Sequence, residues 1–93
     1  MGYTLLVQAE ALLDMQEAFE WYEIQKPSLG YEFINEVEES HKKICDHPLN
    51  YGIVNDRFRR LKINRFPYLV VYEIVGLTIY INAVRHTGKR PKV

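Results

Sequence analysis

The hydrophobic period of this 93-residue sequence changes once, at Pro48. Before Pro48, apolar residues recur at intervals of three and four, which places their side chains on one face of an α-helix. After Pro48 they alternate with polar residues, as in a β-strand with one buried face. A chain of this length forms a single domain around one modest core. The change of period therefore predicts one α+β domain, residues 1–93, in which the helices precede most of the sheet.

Two helices are predicted before Pro48. The first, residues 9–25, places four apolar residues on one face: Leu12, Met15, Phe19 and Tyr22. The second runs to about His47, and Ser28 in the joining segment is a candidate N-cap for it. Because the joint is short, we expect the two helices to form an antiparallel hairpin.

The strands are predicted from short runs with period two or rich in strand-forming residues. They are YTLLV (3–7), a short YGIVN (51–55), RRLKI (59–63), PYLVVYEI (67–74) and LTIYINAVRH (77–86). In the last strand, Leu77, Ile79, Ile81 and Ala83 are predicted on one face, and Thr78, Tyr80, Asn82 and Val84 on the other. The predicted fold is an N-terminal strand and an antiparallel helical hairpin packed on a twisted antiparallel β-meander.

The chain is neutral only in sum. Residues 1–47 carry ten acidic against three basic side chains, and residues 48–93 carry nine basic against two acidic ones. The basic half is therefore able to attract a polyanion or an acidic protein segment. The residues predicted to bind RNA or a protein partner, beyond those of a catalytic site, are Arg57, Arg59, Arg65, Arg85, Lys89 and Arg90.

Three residues could form a site for RNA cleavage by the RNA's own 2′-hydroxyl. Arg60 remains charged and suits stabilisation of a pentacoordinate phosphate. Lys62 is predicted on the same face, where a neighbouring positive charge lowers a lysine's pKa and makes it a conceivable base. His86 could be the acid, although a structural or phosphate-binding role is equally consistent with its spacing.

Other chemistry has little support in the sequence. His41 and Cys45 share a helix face, but packing explains them better than a metal, which would need a third or fourth ligand. We expect no cofactor and no metal. The longest apolar run is too short to cross a membrane and the N-terminus lacks the features of a signal peptide, so a cytoplasmic location is expected.

Four segments together resemble one known family. AFEWYE in the first helix, the I..HP pattern ending the second, RRLKINRFPYLVVYEI and IYINAVRHTGKRP are similar to the RelE/ParE superfamily of bacterial toxins from type II toxin–antitoxin, or plasmid stabilisation, systems. The resemblance covers nearly the whole chain. It implies a growth-arresting toxin neutralised by a cognate antitoxin protein, on the fold predicted above.

The resemblance implies two alternative activities. RelE-like members are mRNA interferases that cleave ribosome-bound mRNA without a metal, and ParE-like members inhibit DNA gyrase without nuclease chemistry. Arg60 and Lys62 match basic catalytic positions of RelE-like toxins, and His86 matches a histidine of some relatives. Leu69 departs from that pattern, since RelE-like nucleases usually have an arginine there, and Thr87 lacks the usual aromatic or basic group.

From the sequence we slightly favour mRNA cleavage, because the basic pair and the histidine occur together. Gyrase inhibition is the alternative, together with an inert relative that keeps only the fold. The expected partners are the antitoxin and either ribosome-bound mRNA or gyrase. Whether the chain forms a homodimer is left open.

Overall fold

The computed structural model describes residues 2–88. Its elements in chain order are β1 (Thr4–Val7), α1 (Ala9–Gln25), α2 (Leu29–Asp46), β2 (Gly52–Ile53), β3 (Phe58–Lys62), β4 (Tyr68–Val75) and β5 (Thr78–His86). The predicted α+β class and element order are confirmed, including the short β2. Within the described part of the chain, no helix has the length and apolar character needed to cross a membrane.

The five strands form one sheet in the order β1-β5-β4-β3-β2. Strands β2 to β5 are antiparallel neighbours, as predicted for a meander. Strand β1 pairs with β5 in parallel, so the sheet is mixed and not antiparallel throughout. A parallel neighbour is possible here because the long helical hairpin and three strands separate β1 from β5 along the chain.

Both helices pack on the same face of this sheet. Tyr22 of α1 and Phe33 of α2 belong to one buried cluster with Tyr68, Val70 and Tyr72 of β4. The opposite face, here called the open face, contributes no residue to this cluster. Alternation and strand register place on it Phe58, Arg60, Lys62, Leu69, Val71, Glu73, Tyr80, Ala83 and Arg85.

Helix α1 faces the core through small residues. Ala11 and Ala18 are completely buried, whereas Leu12, on the predicted apolar face of the helix, is 53% exposed. Alanine allows the helix to approach the sheet closely. The buried positions Ala11 and Ala18 therefore each precede by one residue a position that the apolar spacing indicates, Leu12 and Phe19. Tyr22 is buried as predicted. Phe19 instead packs edge-on against Tyr31 of α2, with ring centroids 4.9 Å apart.

Ser28 is the N-cap residue of α2, as predicted, but its side chain does not satisfy the start of the helix. Ser28 has a φ of 77° and its side chain makes no capping hydrogen bond. The carboxylate of Glu23, in α1, instead accepts hydrogen bonds from the backbone N–H groups of Ser28 at 3.2 Å and Gly30 at 2.7 Å. The preceding helix thus supplies the acceptor that the start of α2 requires.

Strand β5 contains one residue more than its partner segment of β4. Ile81 pairs with Tyr72 and Ala83 pairs with Val71, so Asn82 has no partner and forms a β-bulge. An extra residue moves the side chain of every later residue in the strand to the opposite face of the sheet. Val84 therefore lies in the core, contrary to the predicted alternation, and Ala83 faces the open side.

Side chains from the sheet anchor the connection between α2 and β2. The Tyr72 hydroxyl donates a hydrogen bond to the Pro48 carbonyl at 2.6 Å. Arg59, on the helix-facing side of β3, donates to the carbonyls of Leu49 at 3.2 Å and Tyr51 at 2.9 Å. Burial raises the pKa of Tyr72 to about 12.

We predict that Gly30→Ala destabilises the protein by at least about 2 kcal/mol, since overpacking of this kind strains backbone and side chains. A methyl group at residue 30 would lie 2.6 Å from the Phe19 carbonyl oxygen and 2.7 Å from a Glu23 side-chain carbon. Ser28→Gly should have the opposite sign and stabilise by about 0.4–1 kcal/mol, because glycine tolerates positive φ. Urea denaturation measures both, and an unchanged Gly30→Ala midpoint would contradict the close approach of the helices.

Tyr72→Phe should lower the free energy of unfolding at neutral pH by about 1–3 kcal/mol, because the buried Pro48 carbonyl loses its donor. The pKa of Tyr72 is about 12 in the folded protein against a usual 10.0, so its stabilising contribution is complete below pH 10 and is lost as the pH rises from 10 to 12. That alkaline loss amounts to about 2–3 kcal/mol and should be absent from the variant. Denaturation curves at neutral and alkaline pH test both effects, with Tyr31→Phe as the exposed control.

Candidate functional site

The open face carries three basic residues around an apolar centre. Lys62, Leu69 and Arg85 are direct neighbours across three strands, and Arg60 pairs with Val71 in the adjacent row. Directly opposite side chains on one face have Cβ atoms about 5 Å apart. We call Arg60, Lys62 and Arg85, together with Leu69 and Val71, the basic surface.

Two cations of the basic surface are unpaired in the part of the chain that the structure describes. Arg60 and Arg85 are exposed, and neither makes a side-chain hydrogen bond or ion pair within residues 2–88. Lys62 is also exposed, but its Nζ donates to the carbonyls of Ile63 at 3.1 Å and Phe66 at 3.3 Å, at the turn between β3 and β4. The two arginines thus present guanidinium groups that suit carboxylates or phosphates.

The other predicted binding arginines are engaged in the fold. Arg57 forms an ion pair with Glu73 at 2.9 Å, and Arg65 forms one with Glu32 of α2 at 2.6 Å. The hydrogen bond from Arg65 holds the pKa of Glu32 below its usual value. Arg59 anchors the α2–β2 connection, as described above. Lys89 and Arg90, the remaining predicted binding residues, lie outside the described residues.

His86 lies on the helix-facing side of β5. Its ring packs edge-on against Tyr68, with centroids 5.1 Å apart, and its Nδ1 accepts a hydrogen bond from the Gly88 N–H at 2.9 Å. The bulge at Asn82 is the cause, because an unbroken alternation would place His86 on the open face. The structure therefore brings Arg60 and Lys62 together but separates His86 from them.

Glu73, a carboxylate on the open face, is a residue of this region that was not predicted from the sequence. Its side chain is 11% exposed, and it accepts hydrogen bonds from Arg57 Nε at 2.9 Å and Asn82 Nδ2 at 3.2 Å. The hydrogen bond from Arg57 holds the pKa of Glu73 below its usual value, which makes it a weak proton acceptor. The sequence does contain one feature that distinguishes Glu73, since it is the single charged residue in PYLVVYEI.

A cleft of about 360 Å³ lies away from the basic surface, lined by Leu5, His41, Lys42, Cys45 and Asp46. Desolvation lowers the pKa of His41 and raises that of the Cys45 thiol, so both groups are neutral at pH 7. Within residues 2–88, no cluster of three His, Cys, Asp or Glu side chains could hold a metal. The cleft therefore offers little catalytic chemistry, and the basic surface remains the candidate site.

Replacement of the adjacent residues Arg59 and Arg60 should have sharply different effects on the free energy of unfolding. Arg59→Ala removes two hydrogen bonds to backbone carbonyls and should destabilise the protein by about 1–3 kcal/mol. Arg60→Ala removes an exposed side chain and should change the free energy of unfolding by no more than about 0.5 kcal/mol. Urea denaturation of both variants tests this division between a structural and a binding arginine, and equal effects would contradict it.

Comparisons with known proteins agree with the geometry. A family model described as the ParE toxin of the type II toxin–antitoxin system parDE matches residues 5–91. A structure of the chromosomal ParDE system from P. aeruginosa is similar, with a TM-score of 0.84 and 16% identity over 94% of this chain and 98% of that one. The isolated E. coli RelE toxin gives a TM-score of 0.69 and 13% identity, over 95% and 87% of the two chains. No curated protein sequence matches significantly.

At these identities the solved structures show the shared fold alone. The family model, by contrast, matches nearly the whole chain in sequence. The protein thus belongs to the ParE toxin family of type II toxin–antitoxin systems, within the RelE/ParE superfamily.

Proposed function

We propose that this toxin arrests growth by binding DNA gyrase through its basic surface and inhibiting it, without cleaving RNA. The observation that carries this proposal is that Arg60 and Arg85, which make no side-chain hydrogen bond or ion pair within residues 2–88, lie beside an apolar centre on the sheet face opposite the helices. Guanidinium groups flanking apolar side chains suit an acidic, partly apolar protein surface. As a type II toxin, the protein also has a cognate antitoxin as its partner.

The distribution of titratable groups supports binding over cleavage. Cleavage of RNA by its 2′-hydroxyl needs both a proton acceptor and a proton donor near the phosphate. His86 packs against Tyr68 on the other side of the sheet, and Glu73 is hydrogen-bonded to Arg57 and Asn82. Within residues 2–88, the basic surface thus has cations around an apolar centre and no histidine beside them.

Leu69 supports the same proposal. It lies between Lys62 and Arg85 in one cross-strand row, at the position where the resemblance to RelE-like nucleases implies an arginine. A leucine cannot stabilise a phosphate charge, but it can contribute apolar contact area to a protein interface.

Cleavage of ribosome-bound mRNA is the second candidate. The observation in its favour is that Arg60, Lys62 and Arg85 share one face and one neighbourhood, so their charges could together bind consecutive phosphates. In this alternative Arg60 and Lys62 contact phosphate, and His86 would have to act from a different position.

A supercoiling assay with purified gyrase tests the proposal. The wild-type chain should inhibit supercoiling, and Arg60→Ala combined with Arg85→Ala should raise the inhibitory concentration at least about tenfold, since each lost charged contact costs about 1.5–3 kcal/mol. Lys43→Ala, which removes an exposed cation from α2, is the matched control and should inhibit like the wild type.

Primer extension on cellular mRNA after brief induction distinguishes the two candidates. Intact mRNA together with inhibited gyrase would support our proposal. Codon-phased cuts that disappear in Arg60→Ala, with gyrase unaffected by the wild type, would overturn it in favour of RNA cleavage.

A further inference from the structure

The backbone of β5 changes direction at its bulge. Before Asn82, the carbonyls of Leu77 and Ile81 point towards β1, where they accept hydrogen bonds at 2.9 Å from the N–H groups of Thr4 and Gln8. In a regular strand, the backbone N–H and C=O groups of every second residue point outward, away from β4, and those of the residues between them point towards β4. An unbroken β5 would therefore point the N–H groups of residues 83 and 85 outward, and that of residue 84 towards β4.

The bulge reverses this order. With Asn82 as the extra residue, the Val84 N–H points outward and the Thr87 N–H points inward, donating to the Pro67 carbonyl at 2.8 Å. Strand β1 ends at Val7, whose partner is Ile81, so it does not extend along this part of β5. A side chain from another element must satisfy the Val84 N–H if that group is to remain paired.

Asp14 of α1 supplies that acceptor. Its Oδ2 accepts the hydrogen bond from the Val84 N–H at 3.0 Å, across 70 positions of sequence. In an unbulged strand the same N–H would bond to β4, and Asp14 would have no such donor at residue 84. The contact between Asp14 and Val84 is thus specific to the bulged register.

The bulged register needs such support. Asn82 donates to Glu73 at 3.2 Å, but its Oδ1 is buried and has no partner within residues 2–88. A buried unpaired acceptor lowers the stability of the bulged arrangement. The charged acceptor of Asp14 offsets part of that cost, because hydrogen bonds to carboxylates are stronger than neutral ones.

The register decides which side chain joins the basic surface. With the bulge, Arg85 lies beside Leu69 on the open face, while His86 packs against Tyr68. Without it, the two residues would exchange faces. We propose that Asp14 is a positioning residue for the basic surface, fixing the β5 bulge so that Arg85, and not His86, faces the bound partner. This inference rests on the proposed role of the basic surface in binding.

An NMR comparison of the purified full chain tests the register without any partner. In Asp14→Ala, the Val84 amide should exchange with solvent at least about tenfold faster, and cross-relaxation between the Arg85 and Leu69 side chains should weaken. Asp14→Asn keeps an acceptor oxygen without the charge, so it should change the Val84 exchange rate and the Arg85–Leu69 cross-relaxation less than Asp14→Ala does. Glu17→Ala, an exposed position on the same helix, is the matched control.

A double-mutant cycle in the supercoiling assay tests the consequence for binding. Asp14→Ala should weaken inhibition about as much as Arg85→Ala, and should weaken it no further once Arg85 is alanine. If Asp14 only stabilised the fold, the loss of inhibition caused by Asp14→Ala would instead add to the loss caused by Arg85→Ala. Should Asp14→Ala not fold, Asp14→Ser, with a shorter acceptor, replaces it in both experiments.

Unchanged Val84 exchange and unchanged Arg85–Leu69 contacts in Asp14→Ala would overturn the inference, as would full additivity in the cycle. If the wild type does not inhibit gyrase, the proposed function fails, while the NMR comparison still decides the role of Asp14 in the register.

Discussion

The structure depends on burial of a single face of its sheet. Both helices pack on that face, around an aromatic cluster in which Tyr22, Phe33 and Tyr68 contact one another with centroids 4.9–6.2 Å apart. Because side chains alternate along a strand, every strand residue belongs either to this core or to the open face. The open face thus consists of the strand residues that do not face the core, and it is the face of the sheet available to a partner.

Charge is distributed along the same division. The acidic residues of the first half lie mainly on the helices, and the basic residues of the second half that belong to residues 2–88 lie on or beside the sheet. Several of the basic residues are engaged within the fold. Arg57 pairs with Glu73, Arg65 pairs with Glu32, and Arg59 bonds to backbone carbonyls. These structural arginines differ from Arg60 and Arg85 in the contacts they make in the fold, and residue type alone does not reveal that difference.

Several sequence predictions agree with the structure because they depend on local periodicity. The helices, their hairpin and the shared face of Arg60 and Lys62 follow from spacings of three to four and of two. The features that the sequence did not predict involve contacts between different elements. Ala11 is buried and Leu12 is exposed because small residues permit close packing on the sheet, and the acceptor for α2 comes from Glu23 in the preceding helix.

The sequence by itself determined the α+β class, the order of the elements, the separation of charge and the resemblance to a toxin family. These features are encoded in neighbouring residues and in their periodicity. The tertiary structure alone decided that β1 is parallel to β5 and that Arg85, rather than His86, joins Arg60 on the open face. The physical reason is that one extra strand residue exchanges all later side chains between faces, and its position is stabilised by Glu73 on the neighbouring strand and by Asp14, whose bond to Val84 spans 70 positions of sequence.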